Sequence, residues 1–210
     1  MAGRFTGFPH DAIDFFEDLG ANNNREWFQA HKDVYERACR EPMLQLTSEL
    51  EPRLGQARIS RINRDIRFSG DKSPYKTHIA AGIGGYYIHL SKAGLYVGTG
   101  IYKPDPPVLA RLRSAIDRDA SGRKLRTIVT SLRRKGYEVE THERLAKAPR
   151  GYSTDHPRVD LLRMKDMFAG KKFAPGPWLS TRKAFERVRR VMTDVTPFRD
   201  WLQLHVRRRE

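Results

Sequence analysis

Apolar side chains recur at helical spacing at both ends of the chain and alternate along its middle. Ile13, Phe16 and Leu19 share one face of a helix that starts near Pro9 and is ended by Gly20. Asn22-Asn23-Asn24 then supplies capping side chains. With Asn23 as N-cap, Glu26 stands three residues on, as in a capping box. The second helix buries Trp27, His31, Val34, Tyr35 and Ala38, and the spacing of Trp27, Phe28 and Tyr35 reads as core rather than ligand platform. A third starts at Pro42, packs Met43, Leu46 and Leu50, and is stopped or kinked at Pro52.

Near Ile59 the period changes to two. Ile62, Ile66 and Phe68 alternate with polar residues, and Thr77 to Ile83 forms a short strand. Tyr86 to Leu90 and Leu95 to Tyr102 form a hairpin around Ser91-Lys92-Ala93-Gly94. Six glycines between Gly82 and Gly100 point to bulges, curvature or close backbone approach. After Lys103 the helical period returns. Asp105-Pro106 opens a helix with Val108, Leu109, Leu112 and Ile116 on one stripe, and Leu125, Ile128, Val129 and Leu132 mark another, closed by Gly136. Tyr137 to Thr141 reads as a further strand. Residues 142–178 have the weakest periodicity, apart from a short helix around Val159 to Met167, and make a candidate lid or wrapping loop. Two helices finish the chain, one from Ser180 to Met192 and one from Thr196-Pro197 that buries Phe198, Trp201, Leu202 and His205.

Helices, then strands, then helices, with no βαβ alternation, predict an α+β fold. A mostly antiparallel sheet (residues 59–102 plus 137–141) is covered by N-terminal and C-terminal helices. The whole of 1–210 reads as a single domain: helical 1–56, sheet 57–103, then a helical and basic 104–210 with the loop-rich segment 142–178 inside it.

Composition narrows the class. Hydrophobic residues are 39% and charged residues 31% of the 210, as in a globular protein. No apolar run approaches a membrane span, and the first residues have no apolar signal core. The single Cys39 excludes an internal disulfide and a Cys-rich metal site. A cytoplasmic protein with no membrane partner is the expectation. The net charge of +15 is unevenly placed: residues 1–102 carry 13 Lys/Arg against 12 Asp/Glu, and residues 103–210 carry 27 against 13. Such a half attracts polyanions, or it is a solvated Arg-rich surface, since 28 of the 40 cations are Arg. No RNA-binding aromatic strand, zinc finger or basic heptad region accompanies it.

The densest chemistry lies in Arg58 to Lys76, with six cations and two carboxylates in 19 residues. Read as a strand, period two puts Arg61, Asn63, Asp65 and Arg67 on one face and Ile62, Arg64, Ile66 and Phe68 on the other. An Arg on an apolar face must reach a carboxylate, water or an anionic ligand, and its fork suits carboxylate or phosphate. Ser69-Gly70-Asp71-Lys72-Ser73-Pro74 is turn chemistry that presents backbone N–H groups, hydroxyls and an ammonium, with Tyr75 and Lys76 next. The candidate ligand-binding residues are therefore Arg61, Arg64, Arg67, Ser69, Lys72, Ser73, Tyr75 and Lys76. The competing reading is an ion-pair network in which Asp65 and Asp71 neutralise their neighbours. A second cluster, Arg150-Gly151-Tyr152 through Asp155-His156-Pro157-Arg158, offers Arg150, Tyr152 and His156 to close over a ligand, or is simply an Asp155 N-cap before a Pro-started helix.

Known catalytic signatures are absent. There is no phosphate-binding Gly-Lys-Ser/Thr loop, no complete dinucleotide fingerprint, no His-Glu-x-x-His and no Gly-x-Ser-x-Gly. His142-Glu143 alone is no metal motif, and no metal or named cofactor is implied. Cys39, in a helical pattern with no nearby His, reads as inert. A general acid or base would have to be Asp65, Asp71, His78, His89, His156 or Tyr75, with Asp65, Asp71 and His156 foremost. The sequence does not decide between an enzyme and a binding protein.

Three stretches carry a resemblance: Asn22 to Phe28, Arg64 to Lys76, and Pro149-Arg150-Gly151-Tyr152 followed by His156-Pro157. In order and spacing the chain resembles a bacterial and fungal family of conserved hypothetical proteins, domain of unknown function 2461. The resemblance implies one family domain and brings no activity, cofactor or catalytic residue. Three functions stay open: binding, with or without transformation, of an anionic small molecule or nucleotide; nucleic-acid binding through Arg123, Lys124, Arg126, Arg133, Arg134, Arg187, Arg189 and Arg190; and a protein-interaction module without chemistry.

Overall fold

The computed structural model describes residues 3–67 and 70–207. Helices α1 (Asp11–Ala21), α2 (Arg25–Ala30) and α3 (Lys32–Val34) lead through a π-helical stretch, Tyr35–Arg40, into α4 (Glu41–Leu54). Strands β1 (Arg58–Ile59), β2 (His78–Ile83), β3 (Tyr86–Ser91) and β4 (Gly94–Ile101) follow. Then come α5 (Pro106–Asp117), α6 (Asp119–Arg134), β5 (Glu138–Glu140), α7 (Val159–Leu162), β6 (Met167–Phe173) and α8 (Lys183–His205). The strands hydrogen-bond in the order β1-β2-β3-β4-β6-β5, with antiparallel registers such as Ala80↔His89 and Val139↔Ala169. This is the α+β architecture that the alternating middle and the helical ends predict.

The chain divides into two compact units. Met1–Val97 with Lys172–Arg190 forms the first, where α1 and α4 pack against β2 and β3. Phe5, Phe8, Phe16, Leu19, Met43 and Leu46 are fully buried there with Ile79, Ile88 and Leu90. Gly98–Lys171 with Val191–Glu210 forms the second. Its core gathers Leu112, Ile116, Leu125, Val129, Leu132, Trp201 and Leu202. The turn from β2 to β3 is made by Gly84 and Gly85 at φ +54° and +82°, the positive pair that a tight hairpin needs.

Several local expectations are corrected. Gly20 lies inside α1, which ends at Asn22, whose N–H reaches Asp18 O at 2.9 Å. The cap of α2 is Asn24, which accepts from Trp27 N at 2.9 Å, and not Asn23. Pro42 does not begin a separate helix. The π stretch runs straight into α4 with Pro42 just past the junction, where the Glu41 N–H reaches back five residues to Glu36 O. Pro52 is likewise accommodated, and Gly55 (φ +81°) closes that helix.

The weakly patterned 142–178 hides a seven-residue strand, β6, which inserts between β4 and β5. The helix expected there is only α7. The break expected at Thr196-Pro197 is absent. Phe198, Trp201 and Leu202 are buried, and that packing holds α8 together through Pro197. The strand expected through Phe68 shrinks to β1 plus a single bridge, Asn63↔Tyr75, because the chain turns back on itself after Arg64. Phe68 itself lies outside the described residues.

Candidate functional site

Past β1 the chain stays extended and doubles back. Ser60 N donates to Ala80 O (2.8 Å), Lys76 N to Ile62 O (2.8 Å) and Arg64 N to Pro74 O (2.9 Å), so residues 64–74 form a loop with a paired neck. Exposure still alternates: Arg61, Asn63, Asp65 and Arg67 are exposed, while Ile62, Arg64 and Ile66 are half-buried. The neck is clamped from α2's side by Asn23, whose amide donates to Tyr75 O at 2.9 Å and accepts from Tyr75 N at 3.0 Å. The Tyr75 ring, 4% exposed, stacks on Phe28 at 4.1 Å. Tyr75 is therefore turned into the core of the first unit.

Inside the loop the charges find local partners. Arg64 pairs with Asp71, and Arg67 forks onto Asp65 with Nε at 2.9 Å and Nη2 at 2.7 Å. Asp71 also accepts from Ser73 N at 2.9 Å. Ser73 and then Arg64 hold the Asp71 carboxyl far below the usual range, and Arg67 lowers Asp65. Both are firmly ionised acceptors, a poor starting point for a general base near neutral pH. Lys72 Nζ donates to Ile66 O at 3.2 Å. Ser69 lies outside the described residues.

Two cations form no ion pair within this network, although the Arg61 charge adds to the lowering of Asp65. Lys76 Nζ donates to the backbone carbonyl of Arg61 at 2.7 Å, and no carboxylate among the described residues pairs with it or with the Arg61 guanidinium. Burial and then Arg61 push the Lys76 ammonium below its ordinary pKa. The row continues across the sheet. Register Ala80↔His89 and His78↔Ser91 makes His78 and His89 diagonal neighbours on β2 and β3, with rings stacked at 4.3 Å. Burial, then Lys76, lowers His78; burial, then His78 and Lys172, takes His89 down to about 4. Tyr87 Oη lies 3.3 Å from His89 Nδ1, and its ring is 6.4 Å from that of Tyr96. At neutral pH this face presents two cations beside two uncharged imidazoles and phenol hydroxyls. Sequence reasoning named both histidines but did not join them. The signal was there: a two-glycine turn after Ile83 fixes the register that brings them together.

In the second unit Arg158 is 5% exposed. Its Nε donates to Ile116 O (2.7 Å) and its Nη2 to Asp117 O (2.7 Å) and Asp119 Oδ1 (3.0 Å), so it satisfies the end of α5. A Cβ at Gly122 would stand 2.0 Å from Ile116 O and 2.5 Å from that Nε, so only glycine fits. His156 Nδ1 accepts from Arg158 N at 3.0 Å, which leaves the proton on Nε2, 3.3 Å from Asp117 Oδ1. Burial, then Asp117, raises the Tyr152 phenol. Arg150 is exposed. Asp155 caps nothing: α7 begins at Val159, and the Asp155 N–H donates to Ser153 Oγ at 3.1 Å. Many cations of this half are also paired, including Arg123 with Asp119, Arg126 with Asp160 and Lys135 with Asp194. Among the described residues no His/Cys/Asp/Glu group is arranged to hold a metal ion, and no helix is long and apolar enough to cross a membrane.

Comparison with known proteins finds one family, described as conserved hypothetical protein (DUF2461), whose model matches residues 11–201. No curated protein and no solved structure matches the chain.

Proposed function

We propose, for a chain that belongs to the DUF2461 family of conserved hypothetical proteins, that it binds a phosphate- or carboxylate-bearing small molecule or nucleotide on the cationic face of its first unit. The observation that supports this reading is the adjacency of Arg61 and Lys76, like charges that form no ion pair among the described residues, where Arg64 and Arg67 each have a carboxylate and Asp65 lies near enough to Arg61 only to be lowered by its charge. An anion there relieves their repulsion and accepts from both. His78, His89 and Tyr87 line the neighbouring face and supply neutral hydrogen-bonding groups for the rest of the ligand. The ion pairs Arg64–Asp71 and Arg67–Asp65 shape the loop, and Ser73 holds Asp71 in place.

The test is thermal stabilisation by inorganic phosphate, pyrophosphate, citrate and nucleoside monophosphates, on the wild type and on Arg61→Ala with Lys76→Ala. At about 100 times Kd a ligand adds ~2.7 kcal/mol, which raises Tm by roughly 5–10 °C in a chain of this size. The double variant should lose that rise. A wild type that none of these compounds stabilises ends the proposal. The nucleic-acid alternative, supported by the 27 cations against 13 acids of residues 103–210, is separated by the same variant. Steeply salt-dependent binding of duplex DNA or RNA that survives the double substitution would place the polyanion surface there instead.

A further inference from the structure

A second site stands in the other unit, beside the edge strand β5. Asp166 is 3% exposed, and its carboxylate collects His142 N at 2.8 Å, His142 Nδ1 at 2.7 Å and Thr141 Oγ1 at 2.6 Å, whose single proton it shares with Glu143 O at 2.7 Å. A carboxylate only accepts, so Nδ1 carries a proton, and whenever the ring is neutral Nε2 carries the lone pair. Burial alone would raise Asp166, but the hydrogen bonds from Thr141 and His142 outweigh it and keep the carboxyl below its ordinary range. The imidazole is not buried with its partner. Its side chain is 54% exposed, held edge-on by Tyr102 at 5.0 Å and against Phe168 at 4.6 Å. His142 is one of the residues lining an open groove of about 640 Å³, with Arg133, Tyr137, Glu138, Glu140 and Arg144 among the others.

A purely structural anchor for the 141–142 turn needs only the Thr141 hydroxyl and the backbone N–H. The additional bond to Nδ1 and the aromatic walls do something else: they fix one tautomer and one ring orientation at the mouth of a cleft. That is the arrangement in which a buried carboxylate orients a histidine and balances the imidazolium formed when it takes a proton. We propose that His142 is an acid–base residue, with Asp166 as its positioning residue, acting on a hydroxyl group of a polar ligand in this cleft. Nε2 of the neutral ring accepts the hydrogen bond of the ligand O–H, the imidazolium form donates one to its oxygen and is balanced by Asp166, and no covalent bond of the ligand changes. The ligand class follows from the walls. Two arginines and two glutamates are among the lining residues, so the groove carries little net charge and suits a polyhydroxylated molecule rather than a polyanion. Arg133 and Arg144 are partly engaged already, Arg133 with Val139 O at 3.3 Å and Arg144 with Asp160 O at 2.9 Å.

The test uses the full chain. Long-range ¹⁵N–¹H NMR of the wild type should show the His142 ring as the Nδ1–H tautomer, and the other tautomer overturns the assignment. Carbethoxylation by diethyl pyrocarbonate, read residue by residue, should modify His142 at least about tenfold faster than the exposed His10, and Asp166→Asn should remove most of that advantage. If Asp166→Asn does not fold, the wild-type tautomer and rate still decide. A His142 no faster than His10 overturns the site. Shielding of His142 by myo-inositol or glucose supports the ligand class, and a fast His142 that neither shields overturns that class.

Discussion

Asn23 shows how much one side chain can carry. Its amide does for Tyr75 what a neighbouring strand would do, supplying one donor and one acceptor to the same residue's backbone. It thereby ties the turn before α2 to the neck of the charged loop, while Phe28 from α2 stacks on the Tyr75 ring. These are two of the three stretches on which the family likeness rests, and they meet in space. Asn23→Ala leaves both backbone groups without a protein partner and should cost roughly 2–6 kcal/mol, at ~1–3 per stranded group. Asn23→Asp retains the acceptor but loses the donor and should cost about half as much. Urea denaturation of the three proteins checks the order. Equal midpoints would mean that the neck is held by other bonds.

At the scale of elements, close backbone contacts decide where strands meet. A Cβ on Gly100 of β4 would lie 2.5 Å from Met167 O and 2.6 Å from Phe168 Cα, both main chain of β6, which cannot swing aside as a side chain does. Gly100→Ala must push the two strands apart, and a loss of about 1–3 kcal/mol in chemical denaturation is expected. A Gly82→Ala control, whose nearest neighbour would be Tyr86 O at 3.9 Å, should lose less. An indistinguishable pair would refute the idea that glycine is needed for the β4–β6 approach. The cluster of glycines from Gly82 to Gly100 thus marks close approach at one position and a tight turn at another. The pattern alone offered both readings without saying which glycine does which.

For the molecule as a whole, the perturbed groups share a sign on the acid side. His89 titrates near 4 in the fold against an ordinary 6.5, and burial also lowers His78 and His205. As pH falls through 6.5 the unfolded chain takes up these protons first. Stability present above 6.5 is therefore lost progressively down to about 4, on the order of 2–3 kcal/mol for His89 alone. Glu49, held down by its Arg182 partner, and Asp166, held down by Thr141 and His142 against its burial, have the same sign, and their contribution disappears below the ordinary carboxylate range. Tm should be level from pH 8 to 6.5, fall between 6.5 and 4, and fall again below that. His89→Gln should flatten the upper step and leave the lower one. A single step confined to the carboxylate range would show that His89 is not buried in the neutral form.

The chain by itself determined what local periodicity reports, namely which side of each segment avoids water. Ile13, Phe16 and Leu19, the Leu112–Ile116 and Leu125–Leu132 stripes and the alternation from Ile79 to Tyr102 specify an α+β fold, because burying an apolar face is a near-neighbour matter. The exposure alternation of Arg61 to Arg67 was legible for the same reason. Only the tertiary structure decided which partner each face and charge finds. β6 slides between strands far from it in sequence; Arg158 is buried under α5; His142 meets Asp166, and His78 meets His89. Asp71 and Asp65 take Arg64 and Arg67, and Arg61 and Lys76 are left beside each other. The long-range pairings depend on strand order, which brings His142 to Asp166 and Arg158 to Ile116 from 24 and 42 positions away, and no local pattern encodes them; the hairpin and loop pairs were within reach of the sequence, but which of the competing partners each charge takes was not.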